Sequence, residues 1–236
     1  MLTLWPELDS RDCVAMELSV IQKIAIWILP LLFAITLHEV AHGWVASYFG
    51  DQTARLSGRL SLNPIKHIDP FGTVIMPLML LLLTQFQFAF GWAKPVPVDM
   101  RNLNHPRRDM ALVALAGPMA NVLMALFWGA MMKVGMLSYD GGNFWLGVPL
   151  MYMGNAGVMI NIVLGVLNLV PLPPLDGGKI MMSLVPPHVA FRLSLVIEPY
   201  GFLILILLLV TGILSSVISP FVYLLVNLIN NLYGLY

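Results

Sequence analysis

Charge is scarce in this chain. Only 10% of its 236 residues are Asp, Glu, Lys or Arg, and 59% are hydrophobic, whereas a soluble domain carries about 25% charged residues. That balance excludes a globular enzyme held by a single anchor. The formal net charge is zero, so nothing points to nucleic acid as a partner. Cysteine is nearly absent: Cys13 alone permits neither an internal disulfide nor a cysteine-based metal site, and reads as a dispensable thiol. A secretory signal is missing as well. Glu7, Asp9, Arg11, Asp12 and Glu17 interrupt the stretch where a basic segment and an apolar core would have to follow one another. The apolar pattern begins just after Met16, which makes Met16 a candidate start that N-terminal sequencing of the native protein would test.

What is abundant is apolar sequence in runs long enough to cross a bilayer, about 20 residues each. They extend from Ile21 to Phe49, Phe71 to Trp92, Met110 to Leu137 and Leu150 to Val170. The region from Tyr200 to Tyr236 holds one clear span and a shorter piece after Pro220. The expectation is an all-α polytopic membrane protein with roughly five or six membrane helices. It forms a single domain over residues 1–236, with a core at 21–179 and C-terminal helices at 180–236. No polar stretch leaves room for an appended soluble domain.

Lysine and arginine in the loops set the orientation. Gly50–Pro70 holds Arg55, Arg59 and Lys66; Ala93–Asp109 holds Lys94, Arg101, Arg107 and Arg108; Pro171–Pro199 holds Lys179 and Arg192. These loops are expected on the cytoplasmic side, with Arg55, Arg59, Lys94, Arg107 and Arg108 at lipid headgroups. Ser138–Pro149, with Asp140 and no basic residue, is expected outside. Both flanks of Phe71–Trp92 are basic, yet a simple span would separate them. Pro77, Gln85 and Gln87 lie within the run. A membrane-embedded re-entrant or β-hairpin-like segment resolves the conflict, and such backbone is tolerated where protein or a wet cavity surrounds it.

His38-Glu39-Val40-Ala41-His42 sits inside the first apolar run. On a helix, histidines at i and i+4 share a face, so both imidazoles can reach one ion. Glu39 stands beside them, placed to take a proton from a metal-bound water. Histidine and glutamate are rare within spans. The bland alternative is a histidine pair bonded to neighbouring helices, with Glu39 neutralised by burial. A catalytic zinc needs three protein ligands and one open position, so a third ligand must come from elsewhere.

Candidates are His67, Asp69, His105, Asp176, His188 and Glu198. His67 and Asp69 fit a turn beside Pro64 and Pro70. His105 sits on a solvated face among Asn102, Asn104, Arg107 and Arg108. His188 follows Pro186-Pro187 in a loop, and Glu198 precedes Pro199 at an expected helix start. Asp176 differs. It ends Asn168-Leu169-Val170-Pro171-Leu172-Pro173-Pro174-Leu175-Asp176-Gly177-Gly178, where prolines break an apolar span and deliver a carboxylate into the membrane zone. Metal ligand and helix cap both remain open for Asp176, the ligand role being favoured.

These motifs together resemble the site-2 protease family of intramembrane zinc metalloproteases. His38-Glu39-x-x-His42 is similar to its first motif, Asn168-x-x-Pro171-x-Pro173-x-Leu175-Asp176-Gly177 to its second, and Gly117-Pro118-Met119-Ala120-Asn121 to its intermediate element. Gly91-Trp92-Ala93-Lys94-Pro95-Val96-Pro97-Val98 resembles a segment of bacterial members. The likeness runs from the first span to Lys179 and is to short members, without a PDZ or nucleotide-sensing regulatory domain. It implies Zn2+ as cofactor, with His38, His42 and Asp176 as ligands. It also implies Glu39 as the base toward the zinc-bound water and then the acid toward the leaving amine. Asn168 would bind the substrate carbonyl or oxyanion, unless it simply bonds a neighbouring helix. Gly117, Pro118 and Asn121 are expected to pack helices, with Asn121 tethering the zinc helix. Asn161, Gly165 and the 16 methionines have the same packing role.

The implied partners are the lipid bilayer and transmembrane-helix protein substrates. The implied location is a cytoplasmic (inner) cell membrane, crossed several times. Pro95 and Pro97 lack an N–H, so the amides of Val96 and Val98 define one competent edge of an extended segment. Substrate strand addition there and a loop that merely covers the site are both open. Two further functions compete. A metal transporter would stage ionisable residues along a pathway, whereas here they gather at one depth. An inactive helix-binding relative has no need to keep Glu39 with all three ligands.

Overall fold

A computed structural model of the chain describes residues 20–83, 91 and 93–235. Helices dominate, and no strand occurs among the described residues. Helix α1 spans Val20–Tyr48, followed by the short α2 (Thr53–Leu56) and a 3-10 turn at Pro64–His67. A π-turn at Pro70–Ile75 runs into α3 (Met76–Leu83). After an extended segment come α4 (Pro106–Asp140), α5 (Phe144–Asn168), α6 (Asp176–Leu184), α7 (Pro187–Val210) and α8 (Ile213–Tyr233). Five helices among the described residues are long and apolar enough to cross a membrane: Ala25–Tyr48 of α1, then α4, α5, α7 and α8. The chain is a multi-pass membrane protein of all-α class.

Helices in lipid gain little from burying apolar surface against one another, so close approach of backbones carries the packing. The α4–α5 pair shows how. Trp128 of α4 lies directly over Gly157 of α5, where no Cβ could fit. Gly135 and Gly147 let the two backbones approach further along the same seam. Ala125, Trp128, Val158, Ile162, Val222 and Ile229 form the buried core where α8 joins α4 and α5. A second cluster of Ala46, Leu103 and Val113 fixes the end of α1 against the start of α4.

Two expectations are corrected. The C-terminal region holds two full helices, not one span and a shorter piece. Helix α7 begins at Pro187 and α8 runs unbroken through Pro220. Glu198 therefore lies inside α7 and does not start a helix. A proline interrupts one backbone hydrogen bond, and membrane helices tolerate that by local adjustment and bonds from neighbours. Arg59 and Arg107, expected at lipid headgroups, also bond backbone carbonyls of the protein. Arg59 donates to the Lys66 carbonyl, and Arg107 to those of Ser183 and Val185, capping the end of α6. Of the expected re-entrant segment, residues 70–83 are helical, and the stretch holding Gln85, Gln87 and Trp92 lies outside the described residues.

Candidate metal centre

His38 and His42 are one turn apart on α1, six residues and so about 9 Å of helix before its end at Tyr48 in the case of His42. Both are buried. Asp176 is the first residue of α6, delivered by the turn that closes α5. The position is a helix start, with Leu175 as the cap residue; the Asp176 carboxylate accepts Lys179 within α6 through Oδ1 and faces α1 through Oδ2. Asp176 Oδ2 lies 3.1 Å from His38 Nε2 and 3.1 Å from His42 Nε2, and the two Nε2 atoms are 3.1 Å apart. Among the described residues, His38, His42 and Asp176 form a group able to hold a metal ion.

The far side of each imidazole decides the protonation. Asn161 Nδ2 donates to the Gly157 carbonyl at 2.8 Å, which turns Asn161 Oδ1 toward Asn121 Nδ2 at 3.0 Å. Asn121 must then present its oxygen to His38 Nδ1, 2.5 Å away. An amide oxygen only accepts, so His38 Nδ1 carries the proton. His42 Nδ1 faces the Val113 carbonyl at 2.7 Å and carries one for the same reason. Neutral imidazoles protonated at Nδ1 leave lone pairs on both Nε2 atoms. Three lone-pair atoms thus face one another across 3.1 Å, an arrangement that a cation stabilises. The three atoms lie close enough together for His38, His42 and Asp176 to hold one ion between them. The donor set fits zinc, which structural and catalytic sites bind through imidazole and carboxylate.

Helix α4 makes the room. A Cβ on Gly117 would overlap His42 Nε2 and come within 2.6 Å of His38 Cε1. On the other side Lys179 Nζ holds Asp176 Oδ1 at 2.9 Å, which leaves Oδ2 for the imidazoles. The turn from Asn168 to Asp176 is equally tight. Gly177 and Gly178 lie where a side chain would strike the backbone of Leu169, Val170 and Leu172–Pro173. Glu39 is half-buried beside His38, and its Oε2 accepts the Val96 N–H at 2.8 Å.

The remaining candidates are spent elsewhere. His67 bonds the Ser61 carbonyl through Nε2, and Asp69 caps the π-turn through Phe71 and Gly72 amides. His105 precedes α4 and pairs loosely with Asp109, while His188 and Glu198 are exposed on α7. Asn168 donates to the Leu164 carbonyl of its own helix at 3.0 Å. The tether from Asn121 to His38 is present, and Asn161 extends it. Sequence reasoning missed Lys179 and the Val96 amide, as well as the steric role of Gly117. Of the two amides expected to define the extended edge, that of Val96 is engaged by Glu39. Lys94 N–H donates to the His67 carbonyl at 2.9 Å.

The model of peptidase family M50 matches residues 146–212, a stretch containing the Asp176 turn. A Bacillus subtilis (strain 168) protein named "Putative zinc metalloprotease YwhC" is 41% identical over 196 residues, covering 82% of this chain and 84% of the relative. Rip2 of Mycolicibacterium smegmatis, which bears the same description, is 29% identical over 81% of this chain and 69% of its own. The regulator of sigma-E protease RseP of Salmonella typhimurium is 29% identical over 47% of this chain and 25% of its own. No solved structure matches. Fold and relatives together define a membrane-embedded zinc metalloprotease. The chain belongs to peptidase family M50, and its enzyme type is that of the site-2 proteases.

Proposed function

We propose that this enzyme hydrolyses peptide bonds within or near transmembrane helices of other membrane proteins, with His38, His42 and Asp176 holding zinc and Glu39 as general base. We place it in the cytoplasmic (inner) membrane of a cell. The observation that carries the reading is the meeting of three lone-pair atoms at 3.1 Å, from helices far apart in the chain, with a glutamate next to the first of them.

When bound, zinc polarises a water molecule and the scissile carbonyl as a Lewis acid. The chain's own groups do the rest. Asn121 and the Val113 carbonyl keep both imidazoles in the tautomer that offers Nε2, as partners of metal-ligating histidines do. Glu39 takes one proton from the attacking water as its oxygen joins the carbonyl carbon, and passes it to the departing amide nitrogen as the C–N bond breaks. Asn168 is proposed to stabilise the developing oxyanion. One of its amide hydrogens is engaged by Leu164, and the second would serve the substrate. A cavity of about 610 Å³, lined by Pro173, Pro174, Leu175, Lys179 and Phe191 among others, opens beside the Asp176 turn. It supports access of a chain segment to the site.

Glu39→Gln tests the reading. The variant should bind zinc as the parent does and lose cleavage of a membrane substrate in liposomes, since an amide cannot take the proton. Retained cleavage defeats the mechanism. Metal flux through the parent, with no cleavage by either, would favour a transporter.

A further inference from the structure

The end of α1 is fastened to the extended segment by a carboxylate the reaction does not use. Asp51 is fully buried. Its Oδ1 accepts the Thr53 N–H at 3.0 Å, the Thr53 hydroxyl at 2.5 Å and the Asn102 amide at 3.1 Å. Its Oδ2 accepts the Asp99 N–H at 2.7 Å. Nearby, Asn104 N–H donates to the Phe49 carbonyl at 2.9 Å. Gly50 turns the chain at φ +108°, with Asn102 O 3.0 Å from where a Cβ would stand. At its other end the segment is fixed by Lys94 N–H on the His67 carbonyl.

Between these anchors lies Val96, whose N–H reaches Glu39. Val96 is buried, and its Cγ1 would be 2.9 Å from a Cβ on Gly43, one turn beyond Glu39 on the same face of α1. Pro95 and Pro97 hold Lys94 and Val96 in extended backbone. The segment is a stiff strap, tied at both ends, whose central amide sits on the carboxylate.

We propose that Asp51 is a positioning residue for Glu39. By holding the Asp99 end of the strap it keeps the Val96 amide on Glu39 Oε2, which orients the carboxylate and leaves Oε1 to receive the proton. This rests on the reading that Glu39 is the base.

The test uses the purified full-length, zinc-loaded protein with Asp51→Ala, Asp51→Asn, Glu39→Ala and Glu39→Gln. Amide exchange is followed in the peptide covering residues 93–99, where two prolines leave few amides to count. Zinc content, kcat and KM are measured in parallel. Asp51→Ala should speed exchange in that peptide and lower kcat about tenfold or more, with KM within about twofold and zinc retained. Asp51→Asn, which keeps one acceptor oxygen, should recover part of kcat; it carries the test if the alanine variant does not fold. Glu39→Ala should also speed exchange at Val96, because the bond is lost from its other end. The proposal is overturned if exchange in the strap is unchanged in the Asp51 and Glu39→Ala variants. It is also overturned if kcat stays at the parent value in the Asp51 variants while Glu39→Gln is inactive. Cleavage by Glu39→Gln would instead remove the underlying reading of Glu39.

Discussion

Alanine at Gly117 should cost the protein its zinc. The added methyl would overlap His42 Nε2 and approach His38 Cε1 and His42 Cε1 to 2.6 Å. Carbon contacts settle at about 3.5–4.0 Å, so the rings or the helices must yield by about 1 Å. Coordination geometry tolerates about 0.2 Å. Turning the rings is no escape, because each is held at Nδ1 by Asn121 or by the Val113 carbonyl. Separating α1 from α4 carries His38 and His42 away from Asp176. We expect zinc affinity to fall by about 10–100-fold, with a stability loss of about 1–3 kcal/mol from overpacking. Chelator competition on the purified protein reads the affinity, and cleavage of a membrane substrate reads the consequence. Gly165→Ala is the matched control, since a Cβ there meets Asn121 Cβ and the Pro118 carbonyl at 3.5 Å, an ordinary contact. Zinc affinity equal to the parent's in Gly117→Ala would refute the reasoning, as would an equal loss in Gly165→Ala.

Asn121→Ala should weaken zinc binding about 10–100-fold by freeing the His38 ring and leaving Asn161 without its partner, whereas Asn121→Asp, which keeps an acceptor, should lose less; both are read by metal titration. Asn168→Ala should lower kcat about 100-fold or more with zinc retained if its amide meets the oxyanion, and a change of only a few-fold would assign it to helix packing. Burial opposes ionisation of Asp51, but the bonds from Thr53, Asp99 and Asn102 outweigh it and lower its pKa below 3.8. Its folded pKa being the lower, Asp51 contributes stability that is complete above 3.8 and lost as pH falls through the folded value. Thermal melts across that acid range should fall more steeply for the parent than for Asp51→Asn.

The parts of this site that follow from helical spacing were legible in the chain. Two histidines at i and i+4 must share a face, and the proline-broken span left Asp176 as either a ligand or a helix start, which placed it among the candidates. Asn121 as a tether to α1 was legible too, because a buried asparagine among apolar residues needs a partner. What depends on distances between helices was not. Nothing in the periodicity of α4 shows that Gly117, and not Ala114 or Ala116, lies against the imidazoles. The rules of water-soluble helices make Pro199 and Pro220 boundaries, although α7 and α8 pass through them. The Pro95–Val98 pattern correctly marked one edge with donors. It could not show that the Val96 amide pairs with Glu39 and that of Lys94 with His67, since those partners are distant in sequence.

His38 and Asp176 are separated by 138 positions along the chain. At a synthesis rate of about 5–20 residues per second, the ribosome makes the aspartate roughly 7 to 28 s after the first histidine. Throughout that interval the nascent polypeptide has its paired imidazoles and its glutamate but not the carboxylate proposed to join them on the metal. A newborn copy therefore travels through the insertion machinery, among other emerging proteins, before it is armed.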